Sequence, residues 1–248
     1  MVCDMRCQAE RIEQMIRYTL WDSGKKGVVV GLSGGVDSAV AAALSTRAIG
    51  SENMLGLLMP SAMTPEEDLR DVRDLCRQLG IEWKNISIEP MLQPFTQIQG
   101  FSETPYLMGN LMARIRMTLL YYTANREERL VCGTSNRSEY LLGYTTKYGD
   151  NAADYQPILH LYKTQVYALA EELGIPDRIR SKTPSAGLWK GQTDEGELGL
   201  SYADIDAALA ELEGNAWIPR SEVQEKVLQM VKKSEHKRHS PPSLLRQP

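Results

Sequence analysis

Ser33-Gly34-Gly35-Val36-Asp37-Ser38 brings two glycines, two hydroxyls and a carboxylate into one hexapeptide, a set of residue types suited to an anionic ligand. Glycines accept positive φ and let a ligand come up to the backbone, and the free amides at the start of a following helix favour an anion. Ser33 and Ser38 add hydroxyl donors. A Walker A loop needs a longer glycine run closed by Gly-Lys-Ser/Thr. Here no lysine follows the glycines, and Asp37 stands there instead. A carboxylate beside bound phosphate is repelled unless a cation lies between them, so Asp37 implies Mg²⁺.

A second dense stretch runs from Gly133-Thr134-Ser135-Asn136-Arg137-Ser138-Glu139 through Lys147-Tyr148-Gly149-Asp150 to Asp154. Hydroxyls, a lysine and several acids so close together suit a charged substrate, although any long surface loop is polar as well. Paired with the first loop, Glu139 supplies a second protein oxygen for the cation. Lys163 opens a helical pattern, where its charge opposes the helix dipole. Solvation or an anionic ligand would each account for it. From Thr183-Pro184-Ser185 to Asp194-Glu195 the chain mixes glycine, lysine and hydroxyls without periodicity, consistent with a mobile lid over 183–198.

The elements that must hold these residues are legible in the hydrophobic pattern. Residues 28–32, 54–59 and 130–132 are short apolar runs, as expected of parallel strands covered on both faces, and 82–88 reads as a more exposed strand. Between them lie helical patterns over 36–48, 66–79 and 107–125, preceded by an amphipathic helix over 5–21 with Ile12, Met15, Ile16 and Leu20 on its stripe. Thr64-Pro65-Glu66-Glu67 predicts an N-cap, a proline at the first helical position and a capping-box glutamate, and Gly80 a helix stop. Residues 89–106 read as a short helix and a loop. In the helix over 107–125, Leu111, Ile115, Leu119 and Tyr122 are predicted to share a face. Arg114 and Arg116 fall about 200° apart on its opposite flanks, at about 100° per residue. Val166, Leu169, Ala170 and Leu173 mark the stripe of the helix that Lys163 opens, and 204–212 and 221–232 are two closing helices. Strand, helix, strand, helix, strand predicts an α/β fold, a doubly wound and mostly parallel sheet flanked by helices. Ligands of such folds bind at the carboxyl edge of the sheet.

Composition narrows the function classes. The 248 residues carry a net charge of −4, which gives no general drive toward nucleic acid, although basic residues crowd the chain beyond residue 232. Cys3, Cys7, Cys76 and Cys132 form no Cys-x-x-Cys pair, so neither a zinc site nor a disulfide framework is expected, and a reduced cytoplasmic setting is the simplest reading. No apolar run reaches the ~18 residues of a membrane span.

Taken together, the motifs resemble the ammonia-dependent NAD synthetases, a family of ATP pyrophosphatases with a Rossmann-like fold. The resemblance spans essentially residues 1–248, read as one synthetase domain with a basic tail from about residue 233. It rests on the Ser33 to Ser38 loop, on Asn110-Leu111-Met112-Ala113-Arg114-Ile115-Arg116-Met117, on Gly133 to Asp154, and on Pro184-Ser185-Ala186 followed by Asp194-Glu195, Gly199 and Tyr202. Glu235-His236-Lys237-Arg238 ahead of two prolines resembles the family's C-terminal signature. Ser185 stands where many members have threonine and keeps the hydroxyl.

Carried over to this sequence, the resemblance implies that Ser33, Gly34, Gly35, Val36 and Ser38 bind the ATP phosphates, with Gly31 and Leu32 bordering the nucleotide. It implies Thr134, Lys163 and Ser185 on the ATP side, Asp37 and Glu139 on Mg²⁺, and Arg114, Lys147, Asp154, His236 and Lys237 facing deamido-NAD. Arg114 is favoured over Arg116 because it completes the family's Ala-Arg pair, and a surface charge is an equal reading of Arg116. Asp150 or Asp154 would bind incoming ammonium and take its proton, making both, with Lys163, the candidate catalytic groups. The implied reaction activates the nicotinate carboxylate as an acyl adenylate and then amidates it with free ammonia. A homodimer is implied as well. The basic tail reads either as a solvated terminus or as a strap reaching its own or a partner's site. Two alternatives are a different ATP pyrophosphatase and a non-catalytic nucleotide sensor.

Overall fold

The computed structural model describes residues 4–185, 191 and 193–244. Helix α1 (Met5–Ser23) leads into strand β1 (Gly27–Gly31), helix α2 (Val36–Ile49), strand β2 (Met54–Leu58), helix α3 (Glu66–Leu79) and strand β3 (Glu82–Asn85). The short α4 (Glu89–Leu92) and the long α5 (Pro105–Glu127) precede strand β4 (Arg129–Cys132). Then come α6 (Arg137–Leu142), α7 (Lys163–Glu172), α8 (Asp177–Arg180), α9 (Asp194–Leu198), α10 (Tyr202–Gly214) and α11 (Glu222–Lys233).

The strands form one parallel sheet in the order β3-β2-β1-β4. The chain steps outward from β1 to β3 and then returns to the other side of β1, so the switch in direction falls between β1 and β4, where open α/β sheets bind ligands. The pleat sorts the core. Val28, Val30, Leu130 and Cys132 join the side covered by α1, α2, α3 and α7, whereas Val29, Leu55, Leu57 and Val131 pack under α5. Central strands covered on both faces must be apolar throughout, which is the pattern that predicted them. A third apolar cluster joins α10 and α11 to α6 through Ile205, Leu209, Val227 and Leu142.

Several local expectations change. Pro65, extended at ψ 140°, is itself the cap of α3, and the Thr64 hydroxyl accepts the Ser61 N–H at 3.1 Å, so the expected capping box does not form. Met15 and Tyr122 are exposed, because α1 and α5 each bury a narrower stripe than their sequences suggest. β3 stops at Asn85 and is mostly exposed, as befits an edge strand. Cys7 is disulfide-bonded, against the expectation from cysteine spacing; Cys76 and Cys132 are free and buried. Among the described residues no helix is long and apolar enough to cross a membrane.

Candidate active site

The turn after β1 is shaped by its own hydrogen bonds. The Ser38 hydroxyl donates to the Gly35 carbonyl at 3.0 Å and accepts the Ser33 N–H at 3.3 Å, and the Gly35 N–H donates to Ser33 Oγ at 3.2 Å. Gly34 has φ +84°, a conformation that favours glycine, and a Cβ there would crowd the Cβ of Asp68 at 3.2 Å. Gly35 caps α2 without any side-chain hydrogen bond, which leaves the first amides of the helix available to an anion. The side chains of Leu32 and Val36 are buried in the core, so these two residues border the turn with backbone alone.

Beside that helix start lies a buried charge cluster. Lys163 Nζ donates to Asp37 Oδ2 at 2.6 Å and to Glu139 Oε1 at 3.0 Å. The lysine expected to be solvated or to await an anion is 3% exposed and is compensated within the chain. Burial disfavours its charge, yet the two carboxylates hold the ammonium well above the ordinary lysine value. Burial pushes the Glu139 carboxyl up to about 7 against the attraction of Lys163, with the neighbouring Asp37 charge adding to the rise. Tyr202 donates to Asp194 Oδ2 at 3.1 Å, lies 3.4 Å from Glu139 Oε1, and presents its ring 5.1 Å from Lys163 Nζ. Asp194 is 4% exposed, its pKa raised by burial, and its Oδ1 accepts no hydrogen bond among the described residues.

Asn136, fully buried, donates from Nδ2 to Asp37 Oδ1 at 2.8 Å across 99 positions of sequence, and its own Oδ1 accepts the Glu139 N–H at 3.0 Å. It is the N-cap of α6. The start of α7 is held by α10. The Asp206 carboxylate accepts the Thr164 N–H at 2.8 Å and the Ser138 hydroxyl proton, and Ser138 Oγ accepts the Lys163 N–H at 2.9 Å. Two turns on, Glu213 takes the Arg137 guanidinium and the Tyr162 hydroxyl. Asp206→Ala is expected to cost roughly 2–4 kcal/mol, because the buried Ser138 hydroxyl and the part-buried Thr164 N–H both lose a charged acceptor. Equilibrium urea unfolding of the purified chain reads that cost.

The remaining predicted residues gather nearby at a cationic mouth. Arg114 donates to the Lys147 carbonyl at 3.2 Å, and Lys147 Nζ donates to the His236 carbonyl at 2.6 Å. Lys237 Nζ donates to the carbonyls of Gly143 and Thr145, both at 2.7 Å, and is close enough to Arg114 and Asp150 to feel both charges. The tail therefore docks on its own chain. Gly143, at φ +67°, admits Ser234 so closely that a Cβ would overlap it. Arg238 locks the arrangement by donating to Leu141 and Val231 carbonyls at the ends of α6 and α11. A cavity of about 280 Å³ lies between the tail and the 140–152 segment, lined by Lys147, Tyr148 and Lys237 among others.

Arg116 is not a surface charge. It is largely buried, donates from Nε to the Met59 carbonyl at 3.0 Å, and faces Asp150, while burial lowers its pKa. Asp154 uses Oδ2 to accept the Val131 N–H at 2.7 Å and Oδ1 to accept the Tyr121 hydroxyl at 3.3 Å, so it continues the edge of β4. Asp150 accepts the Thr146 N–H at 2.8 Å, and its own amide and the Thr146 side chain also favour its charged form. Thr134 is half-buried just beyond β4, and Ser185 is exposed. Of the expected lid, residues 186–190 and 192 lie outside the described residues. Asn136, Asp194, Tyr202 and Arg238 belong to the site's framework although no role was read for them in the sequence. Asn136 had a local signal, an N-cap residue three positions ahead of a glutamate, and the other three lie in motifs already quoted for the resemblance.

Comparison with known proteins follows the same lines. The family model for NAD synthase matches residues 8–241. The NH(3)-dependent NAD(+) synthetase of Methanoregula boonei is 59% identical over 248 residues, covering 100% of both chains. The solved structure of NMN synthetase from Francisella tularensis superposes with a TM-score of 0.89 at 36% identity, covering 97% of this chain and 98% of that one. The NH3-dependent NAD synthetase from Campylobacter jejuni, solved in complex with the nitrate ion, gives a TM-score of 0.84 at 36% identity, covering 98% and 100%.

Proposed function

The chain belongs to the NAD synthase family, and from that premise we propose how its residues divide the work. The protein is a ligase that forms a carbon–nitrogen bond: it amidates deamido-NAD to NAD with ammonia and ATP. The observation that carries our division of roles is the pair of carboxylates, Asp37 and Glu139, meeting one ammonium beside the open amides of α2.

In the first step the nicotinate carboxylate attacks the α-phosphorus of ATP and pyrophosphate leaves. Negative charge accumulates on the departing phosphates, which we assign to the amides of the Ser33 to Ser38 turn and to Lys163. In the second step ammonia attacks the acyl carbon, the bond to the adenylate oxygen breaks, AMP departs and a proton is lost. To Arg114, Lys147 and Lys237 we assign the cationic wall for the dinucleotide's phosphates, with His236 beside Lys147. Of the two candidate acids we favour Asp150 for the proton, since both oxygens of Asp154 are engaged in holding β4 and Tyr121. The surrounding Arg116 and Lys237 charges weigh against a tight ammonium site at Asp150.

The donor set fits Mg²⁺. Asp37 and Glu139 already share one cation, and the buried Asp194 adds negative charge that Lys163 alone does not balance. Among the described residues no three such side chains form a complete metal site. An ion held by one or two carboxylates would take its remaining ligands from substrate phosphates and water. When bound, Mg²⁺ would screen the phosphates and stabilise the leaving pyrophosphate. A homodimer is the assembly we infer, with Tyr106, Leu107 and Tyr122 exposed along α5, and a cytoplasmic setting follows from the ATP consumed. The net charge of −4 favours no nucleic-acid partner.

The test is pyrophosphate release from ATP and Mg²⁺, with deamido-NAD or with nicotinate mononucleotide, the smaller bearer of the same carboxylate. Release and NAD formation with deamido-NAD and ammonium are expected. Release with the mononucleotide alone would overturn the substrate assignment.

A further inference from the structure

Any of several residues can cap a short helix, but the start of α6 uses one with a second task. Asn136 is fully buried and extended at φ −101° and ψ 172°, and its carboxamide is used at both ends. Oδ1 accepts the Glu139 N–H at 3.0 Å, and Nδ2 donates to Asp37 Oδ1 at 2.8 Å. The other oxygen of Asp37, Oδ2, is thereby turned to the ammonium that Glu139 Oε1 also meets, at 2.6 and 3.0 Å.

We propose that Asn136 is a positioning residue for the cation site, a rigid brace that sets the Asp37 carboxylate against the helix carrying Glu139. The inference rests on the reading that these two carboxylates hold Mg²⁺. Its chemical basis is the residue type. Serine, threonine and aspartate cap helices as well as asparagine does. Aspartate has no donor for Asp37, and serine or threonine has a single oxygen for both tasks; asparagine separates donor and acceptor on a planar group. Partners that orient metal ligands in this way typically contribute 10–100-fold to metal affinity.

The experiment separates bracing from capping. Asn136→Ser and Asn136→Thr keep an N-cap and lose the brace, whereas Asn136→Ala loses both. Each purified full-length variant is melted to read the cap, then titrated with Mn²⁺ in the presence of α,β-methylene-ATP, with free Mn²⁺ read by electron paramagnetic resonance. The serine and threonine variants are expected to melt close to the wild type, yet to bind Mn²⁺ about 10–100-fold more weakly. Their Mg²⁺ requirement for pyrophosphate release should rise in parallel. Wild-type Mn²⁺ affinity in a folded serine or threonine variant would overturn the inference and leave Asn136 a simple cap. Absence of Mn²⁺ binding by the wild type would instead overturn the metal reading beneath it. If one capped variant does not fold, the other carries the test.

Discussion

Lys163→Met is expected to lower kcat/KM for ATP-dependent amidation by about 10³-fold, because one well-placed donor in a preorganised anionic site contributes about that much. It is also expected to destabilise the ligand-free chain by roughly 3–5 kcal/mol, the usual cost of removing one partner from a buried pair. Lys163 is 3% exposed and its two carboxylate partners are 16% exposed at the side chain, so some water reaches the site and the lower end of that range applies. A chemical denaturation curve measures the second effect, and NAD formation the first. The double variant Lys163→Met with Glu139→Gln tests the stability effect. It removes one of the stranded carboxylates, so stability should recover in part while activity stays lost.

Asp37→Asn should reduce pyrophosphate release by about 10³-fold or more, equivalent to about 4 kcal/mol in the barrier, while leaving the fold intact. The substitution preserves shape and the α2 start, and Lys163 keeps Glu139 as its partner. Loss of one carboxylate from a site that holds three and a single lysine relieves repulsion, so the melting temperature of the ligand-free variant should match or exceed that of the wild type. Glu139→Gln should behave alike. A stable Asp37→Asn chain with normal pyrophosphate release would remove the cation from our account.

The two predictions draw on different layers of information. The turn from Ser33 to Ser38 was legible because its chemistry is local: two glycines after an apolar strand fix both conformation and backbone access. The parallel sheet was legible for a related reason, since strands buried on both faces must be continuous in Val, Leu and Cys. Stripes on helices were read less well. Met15 and Tyr122 sit at the right spacing, but spacing does not report how wide a face the neighbouring element covers. The burial of Arg116, read evenly as a surface charge, was missed in the same way. Both are arginines on one helix, and only the approach of Met59 and Asp150 makes Arg116 the buried one.

By itself the sequence determined the glycine turn, the α/β class, the family resemblance and the pairing of Asp37 with Glu139. Each follows from residue type, short-range spacing or a motif. Only the tertiary structure decided how that pairing is made. The switch in strand order sets the ends of β1 and β4 side by side, so Asn136 reaches Asp37 across 99 positions and Lys163 reaches it across 126. It also decided that Lys163 is compensated rather than solvated, and that the basic tail folds onto its own 140–152 segment. These are properties of burial and through-space charge, which depend on distances in the fold and not on distances along the chain.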